Sequence, residues 1–421
     1  MSYFLMSAWI FLVFFALRRG LIGILDPLFT FGLASLIYFR DIPEMSSESL
    51  FIGHLLCLIT FIFGVYISRF ITLKFSPSEY YLDNFSLISI FSIFTLFSVS
   101  IIIILFINGM PFFNIMTAFY SNSKDEFLGD SNFTTIVFSL SKVLIPGVIY
   151  FRILSLINSS IFVTYLCAEL FFFIGLFIAF STGIRSYILF VILSDFFASI
   201  YGHIFLKQKI NYLKYFVVIF LGIFVITFLT INRSKSFIDI NDLMDSFQNV
   251  SLSTLFEDKS AIGINVNEVI DFGFSKYGLT NETLIGVFAI IVNPVPRAIW
   301  PDKPVGYGKI VAHDMFGTDL FGPGLSLAGG IVGESYYNLG WLGIGVFSAI
   351  FGFAFKIISR CIKFRRDLIG IVFVIYASVF SYGFIRGDWL SALGLLYPLI
   401  IIYIITLIFR KRNGSIRMFS M

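Results

Sequence analysis

Hydrophobic positions in this chain gather into apolar runs separated by short polar breaks, and most runs match the roughly 20 residues a helix needs to cross a hydrocarbon core. They lie near 3–17, 21–39, 50–68, 85–107, 133–152, 160–180, 186–205, 214–231, 330–355, 368–385 and 389–409. The pattern predicts an all-α polytopic membrane protein with about 11 transmembrane helices, within a range of about 10–12. A membrane barrel would instead show short segments of alternating polarity. The first run, Met1 to Leu17, has no basic residues before it and no small-residue cleavage site after it, so it reads as a retained helix.

Two polar interruptions exceed turn length. The smaller, 108–132, contains SNSKDEFLGDSN and reads as a surface loop. The larger, 232–328, is too long for an idle connection, and function is expected there. The predicted organisation is therefore a transmembrane bundle over 1–231 (about eight helices), a large outer loop over 232–328, and about three further helices with a basic tail over 329–421. Within the loop, Thr283 to Val292 is apolar but too short to span, and Pro294 and Pro296 stop it, which predicts an interfacial or re-entrant piece.

Lysine and arginine choose the orientation. With the N-terminus outside, Arg18, Arg19, Arg69, Lys74, Arg152, Lys207, Lys209, Lys214, the 356–366 cluster and the 410–417 tail all fall on the cytoplasmic side. Composition agrees with membrane residence, since 58% of residues are hydrophobic, 13% are charged and the mean hydropathy is +0.94. The net charge of +4 is topogenic rather than a nucleic-acid footprint, because the basic residues lie at helix ends. Cys57, Cys167 and Cys361 show neither disulfide nor zinc spacing.

Aqueous chemistry is expected between Asn293 and Gly340, a polar stretch carrying Arg297, His313 and Glu334. Four arginines mark the outer boundary: Arg185, Arg233, Arg297 and Arg386. The positive-inside bias makes this the less expected side for arginine, so the set points to one outer vestibule; snorkelling to headgroups is the alternative for any single member. Guanidinium forks bind phosphate oxygens bidentately, which suits a diphosphate held at the membrane surface. The loop as a whole has seven basic and eleven acidic residues, so positive charge must be placed locally.

Three charges fall inside predicted spans. Lys142, Glu169 and Asp195 would each cost about 3 kcal/mol unpaired, so they are expected to pair with one another; a proton or ion relay is the functional alternative. Of the histidines, His54 and His203 read as ordinary hydrogen-bonded residues, while His313 is placed to exchange protons with water. Glu334 follows Gly329, Gly330 and Gly333 at a helix start, where the small residues permit close approach of a backbone or ligand and the dipole favours a carboxylate. Asp388 stands beside Arg386 as a candidate partner.

GIRS at 183–186, PRAIWPDKP at 296–304, GGIVGESYYNLGWLG at 329–343 and IRGDW at 385–389, in this order around one long outer loop, resemble the Wzy-type O-antigen and oligosaccharide repeat-unit polymerases. Arg297 to Gly308 and His313 to Gly324 also fit the outer-loop spacing of that family, in which Arg or His precedes Gly after ten residues. A second basic outer loop, present in some members, is not visible. The resemblance implies a metal-independent glycosyltransferase with a glycosyltransferase-C-like bundle and no cofactor. Its substrates would be undecaprenyl-diphosphate-linked glycans at the periplasmic face of the bacterial inner membrane. A chain-length regulator is an implied partner, and nucleic acid is not. Arg185, Arg233, Arg297 and Arg386 would hold diphosphate. His313 or Glu334 would take the acceptor proton, and Trp300, Lys303, Tyr336, Tyr337, Asn338 and Asp388 would line the substrate loop. An O-antigen ligase, a lipid-linked oligosaccharide flippase or transporter, and a purely structural subunit are the alternatives.

Overall fold

The computed structural model describes residues 2–38, 47–71, 144–158, 162–181, 185–231, 266–277, 284–292, 300, 302–317, 326–364, 368–386 and 389. These residues are helical with no strand. The helices are α1 (Ser2–Leu17), α2 (Pro27–Tyr38), α3 (Glu48–Ile67), α4 (Leu144–Ile157), α5 (Phe162–Ser181), α6 (Arg185–Leu206) and α7 (Tyr212–Ile231). After them come α8 (Val266–Lys276), α9 (Ile285–Val292), α10 (Tyr307–Phe316), α11 (Gly330–Phe364), α12 (Leu368–Phe380) and α13 (Gly383–Arg386). Among the described residues three stretches, Glu48–Phe70, Tyr187–Leu206 and Gly330–Ile362, are long and apolar enough to cross a membrane, and six shorter apolar helices accompany them. The chain is a helical protein with membrane-embedding helices. The runs expected at 85–107 and 389–409 lie outside the described residues, apart from Trp389.

The compact units do not follow chain order. One gathers Met1–Leu73, Leu255–Ile362 and Ala377–Tyr397; the other gathers Lys74–Thr254, Lys363–Tyr376 and Pro398–Met421. In the first unit, α1 and α2 form a hairpin through a 3₁₀ turn, Gly20–Leu25. Their aromatic rings enter a shared core in which Phe31 stacks on Phe61 at 4.6 Å and meets Phe355 edge-on at 5.3 Å. Ser47 caps α3 by accepting from the Leu50 amide, and Glu48 in the first turn complements the dipole.

Helices α3 and α11 run parallel and touch backbone to backbone. A Cβ on Gly64 would lie 1.9 Å from the Ala349 carbonyl oxygen, and one on Gly352 would lie 2.1 Å from that of Phe61. Small residues allow this approach, the usual solution where hydrophobic burial cannot drive helices together in lipid. In the second unit, α6 packs against α4, α5 and α7.

The predicted span at 330–355 is interrupted. Leu339 (φ −147°, ψ 21°) and Gly340 (φ 60°, ψ −147°) leave helical geometry and divide α11 into two limbs. The limbs fold onto each other: a Cβ on Gly343 would lie 2.1 Å from the Ser335 carbonyl oxygen, although residues eight apart in an unbroken helix stand about 12 Å apart along the axis. The second limb, from Trp341, is about 36 Å long and can span alone. The first limb is buried at every residue from Gly330 to Asn338. Because the Gly340 conformation is essentially restricted to glycine, Gly340→Ala is expected to cost about 1–3 kcal/mol. A lowered unfolding midpoint in detergent checks this; an unchanged midpoint would mean the break forms without glycine.

Candidate functional site

The buried first limb of α11 carries the ESYYN motif, and its glycines are used by protein rather than left open. A Cβ on Gly329 would lie 2.1 Å from the Tyr307 ring, and Cβ atoms on Gly273 and Gly333 would lie 2.8 and 3.0 Å from its hydroxyl. Tyr307, the first residue of α10, is fully buried in that cradle. Gly330, with φ +55°, lets the Ile385 carbonyl approach to 2.3 Å from where a Cβ would stand. The close approach expected at these glycines is therefore supplied by Tyr307 and by the IRGDW segment.

Glu334 completes the second of these contacts. It is 0% exposed, and its carboxylate accepts the Trp389 backbone N–H at 2.5 Å. Trp389 itself is buried against Phe347 (4.7 Å) and Phe351 (5.4 Å). Ile385 and Trp389 are thus both held by the first limb of α11, through Gly330 and Glu334. Asn338, one turn beyond Glu334, donates to the Glu334 carbonyl at 2.8 Å, and its own carbonyl accepts the Leu284 amide ahead of α9.

An aromatic layer surrounds the limb. Tyr337 meets Tyr277 at 5.0 Å and Tyr307 at 5.3 Å, and Tyr336 packs on Phe274 and Trp341. The Tyr277 hydroxyl donates to Asp314, which also pairs with Lys276 at 3.1 Å. Burial, reinforced by Asp314, pushes the Tyr277 phenol well above its ordinary value, so it remains a proton donor at neutral pH. Burial and the Glu334 carboxylate do the same for Tyr307. These tyrosines and Asp314 carried no signal in motif or spacing; only the fold brings them to the glycine positions.

Only some of the remaining candidates fall among the described residues. His313 is exposed on the last turn of α10, which Gly317 ends in a left-handed cap. Trp300 is partly exposed and meets Phe288 of α9 edge-on at 6.2 Å, while Lys303 is buried. Phe288 and Ile291 leave an apolar side of α9 exposed. Gly308 packs on the Leu327 backbone and accepts its amide at 2.9 Å. Arg185 opens α6 and Arg386 closes α13. Arg233, Arg297, Asp388 and Lys142 lie outside the described residues. His54 bonds Asn267 of α8 at 3.3 Å, and His203 donates to the Gln208 carbonyl at 2.8 Å. Among the described residues no group of three or more His, Cys, Asp and Glu side chains is arranged to hold a metal.

The second unit contains a closed set of four charges on four helices. Asp195 pairs with Arg152 at 2.6 Å and Lys214 at 2.9 Å, and Glu169 pairs with the same two cations at 2.9 and 2.7 Å. The Tyr215 hydroxyl donates to Asp195 at 2.9 Å. Glu169 and Asp195 share the same two cations, Arg152 and Lys214, while Lys142, expected to pair with them, lies outside the described residues. In the sequence these two cations lie at helix ends, where positive charge sets topology. Arg152 sits near the end of α4 and Lys214 near the start of α7, so their long side chains reach inward to the acids. An acid in mid-span with a lysine or arginine one side-chain length from a neighbouring helix end is the signal that would have found them.

Comparison with known protein families, with curated proteins and with solved structures finds no match for the chain.

Proposed function

We propose that the chain is a polymerase that joins undecaprenyl-diphosphate-linked oligosaccharide repeat units into O-antigen or a related surface polysaccharide. It would act at the periplasmic face of the inner membrane, with about 11 spans, an outer N-terminus and a cytoplasmic C-terminus. The observation that carries the reading is the clasp between Glu334 and Trp389: GGIVGESYYNLGW and IRGDW, two motifs of the resemblance separated in sequence, meet in one buried structure.

In this reaction the acceptor hydroxyl oxygen bonds to the anomeric carbon of the growing glycan. The bond from that carbon to diphosphate breaks, and undecaprenyl diphosphate leaves with the electron pair. Arginines prepositioned at the leaving group stabilise its charge without a metal. Arg297, Arg185, Arg233 and Arg386 take that role, and His313, exposed at the end of α10, accepts the hydroxyl proton. The burial of Glu334 and its bond to Trp389 favour His313 over Glu334 as that base.

Purified protein supplied with a lipid diphosphate oligosaccharide is expected to yield a ladder of extended products on a gel. Arg297→Ala and Arg185→Ala are expected to abolish extension at normal membrane levels, with single lipid-linked repeats accumulating. Full-length polymer from both variants would sink the diphosphate role. Intact polymer left on its carrier lipid after deletion would identify a ligase instead.

A further inference from the structure

At the end of the first unit opposite α8 and α10, the α1–α2 turn meets the C-terminal parts of α3 and α11. Asp26 is the one carboxylate that the described residues bring there, and it is already engaged. It is 1% exposed, pairs with Arg19 at 2.9 Å, and accepts from Ser359 at 2.5 Å and from the Leu28 amide at 3.0 Å. Against this single negative charge stand Arg19, Arg69, Lys356 and Arg360. Arg360 donates to the carbonyls of Ser68 at 2.9 Å and Ile71 at 2.7 Å, which fixes its position without cancelling its charge. Arg69 is exposed and lies 5.5 Å from the Tyr66 ring centroid.

Lys356 is the centre of the excess. Its ammonium lies 5.2 Å from the Phe15 ring centroid, and among the described residues it makes no ion pair. One turn after it on the same helix, Ser359 bonds both Arg19 and Asp26 and Arg360 bonds the Ser68 and Ile71 carbonyls on either side of Arg69, so Lys356 shares this end with all three arginines and a single carboxylate. Topogenic charge alone requires basic residues in a flanking segment. It does not require three arginines, from the α1–α2 turn, the 3₁₀ turn Ser68–Phe70 after α3, and α11, to gather at the level of a half-buried lysine inside a spanning helix.

We propose that this junction is a binding site for a phosphate group, with Lys356 at its centre and Arg69 and Arg19 at its rim, and that the group is the headgroup of an anionic phospholipid. The chemistry is a compact anion facing several fixed cations beside apolar helix surface, which accommodates the acyl chains. The site owes nothing to the proposed polymerase reaction, and its test uses no glycan.

The test is native mass spectrometry of the full-length protein in a neutral detergent, with phosphatidylglycerol or phosphatidylcholine added. Selective retention of phosphatidylglycerol is expected. Lys356→Gln is expected to weaken retention about fivefold, the equivalent of about 1 kcal/mol for one cation. Lys356→Arg should keep retention, and Lys209→Gln in the α6–α7 connection should leave it unchanged. An unfolding midpoint should rise with phosphatidylglycerol in the wild type and the Arg variant, and rise less in Lys356→Gln. If inorganic phosphate at millimolar concentration matches the lipid in that midpoint shift, the phosphate site stands and its source is soluble. Equal retention of both lipids, or equal phosphatidylglycerol retention by Lys356→Gln and wild type, would overturn the proposal.

Discussion

Glu334→Gln is expected to retain most of the protein's thermal stability and, on the proposed function, polymer formation, whereas Glu334→Ala and Glu334→Asp lose both. The Trp389 N–H points at the Glu334 carboxylate inside a fully buried segment. Alanine removes the acceptor, leaving a buried donor unsatisfied and a cavity beside it, at a combined cost of about 3 kcal/mol. Aspartate keeps the charge and basicity but is one methylene too short to reach, so it falls near alanine. Glutamine keeps the reach and a carbonyl oxygen that can accept the same N–H, and should cost about 1 kcal/mol. A general base at this position would give the opposite order, with aspartate partly active and glutamine dead. Unfolding midpoints and product ladders from the three variants separate the two. An inactive but fully stable glutamine variant would return Glu334 to the chemistry.

The GGxxGES run was legible as a place of close approach, because three glycines within five residues leave that helix start without side chains. What approaches was not legible: Tyr307 comes from α10 and Ile385 from beyond α11, and nothing local encodes either pairing. The apolar runs named most helices to within a few residues, since the length of a span is set by the bilayer. They did not mark the break at Gly340, because the polar ESYYN run just before it is also compatible with the polar face of one continuous helix.

The α9 segment was readable for the complementary reason. Eight apolar residues ended by prolines are too few to span, and the helix at Ile285–Val292 does leave Phe288 and Ile291 exposed. Its attachment, through the Asn338 carbonyl to the Leu284 amide, was not readable. Periodicity reports which face of an element is apolar. It does not report which carbonyl satisfies the amide before it.

The four-charge set in the second unit makes the other large prediction. Asp195→Ala leaves Arg152 and Lys214 facing Glu169 alone, and an unmatched buried charge costs about 3–5 kcal/mol. The variant is expected to fall sharply in membrane level and unfolding midpoint. Combining it with Arg152→Met removes the surplus cation and leaves Lys214 and Glu169 as a neutral pair at 2.7 Å, so most of the loss should be recovered. Replacing all four charges by apolar residues of similar size should be neutral or stabilising, because the set trades desolvation for Coulombic attraction at near parity. That quadruple variant also separates the structural role from a relay. If the four charges only fasten α4, α5, α6 and α7 in register, polymer formation survives with the fold. If they carry protons or ions, the variant is stable and inactive. Failure of the double variant to recover any stability would mean that Asp195 acts through Tyr215 or some group other than the two cations.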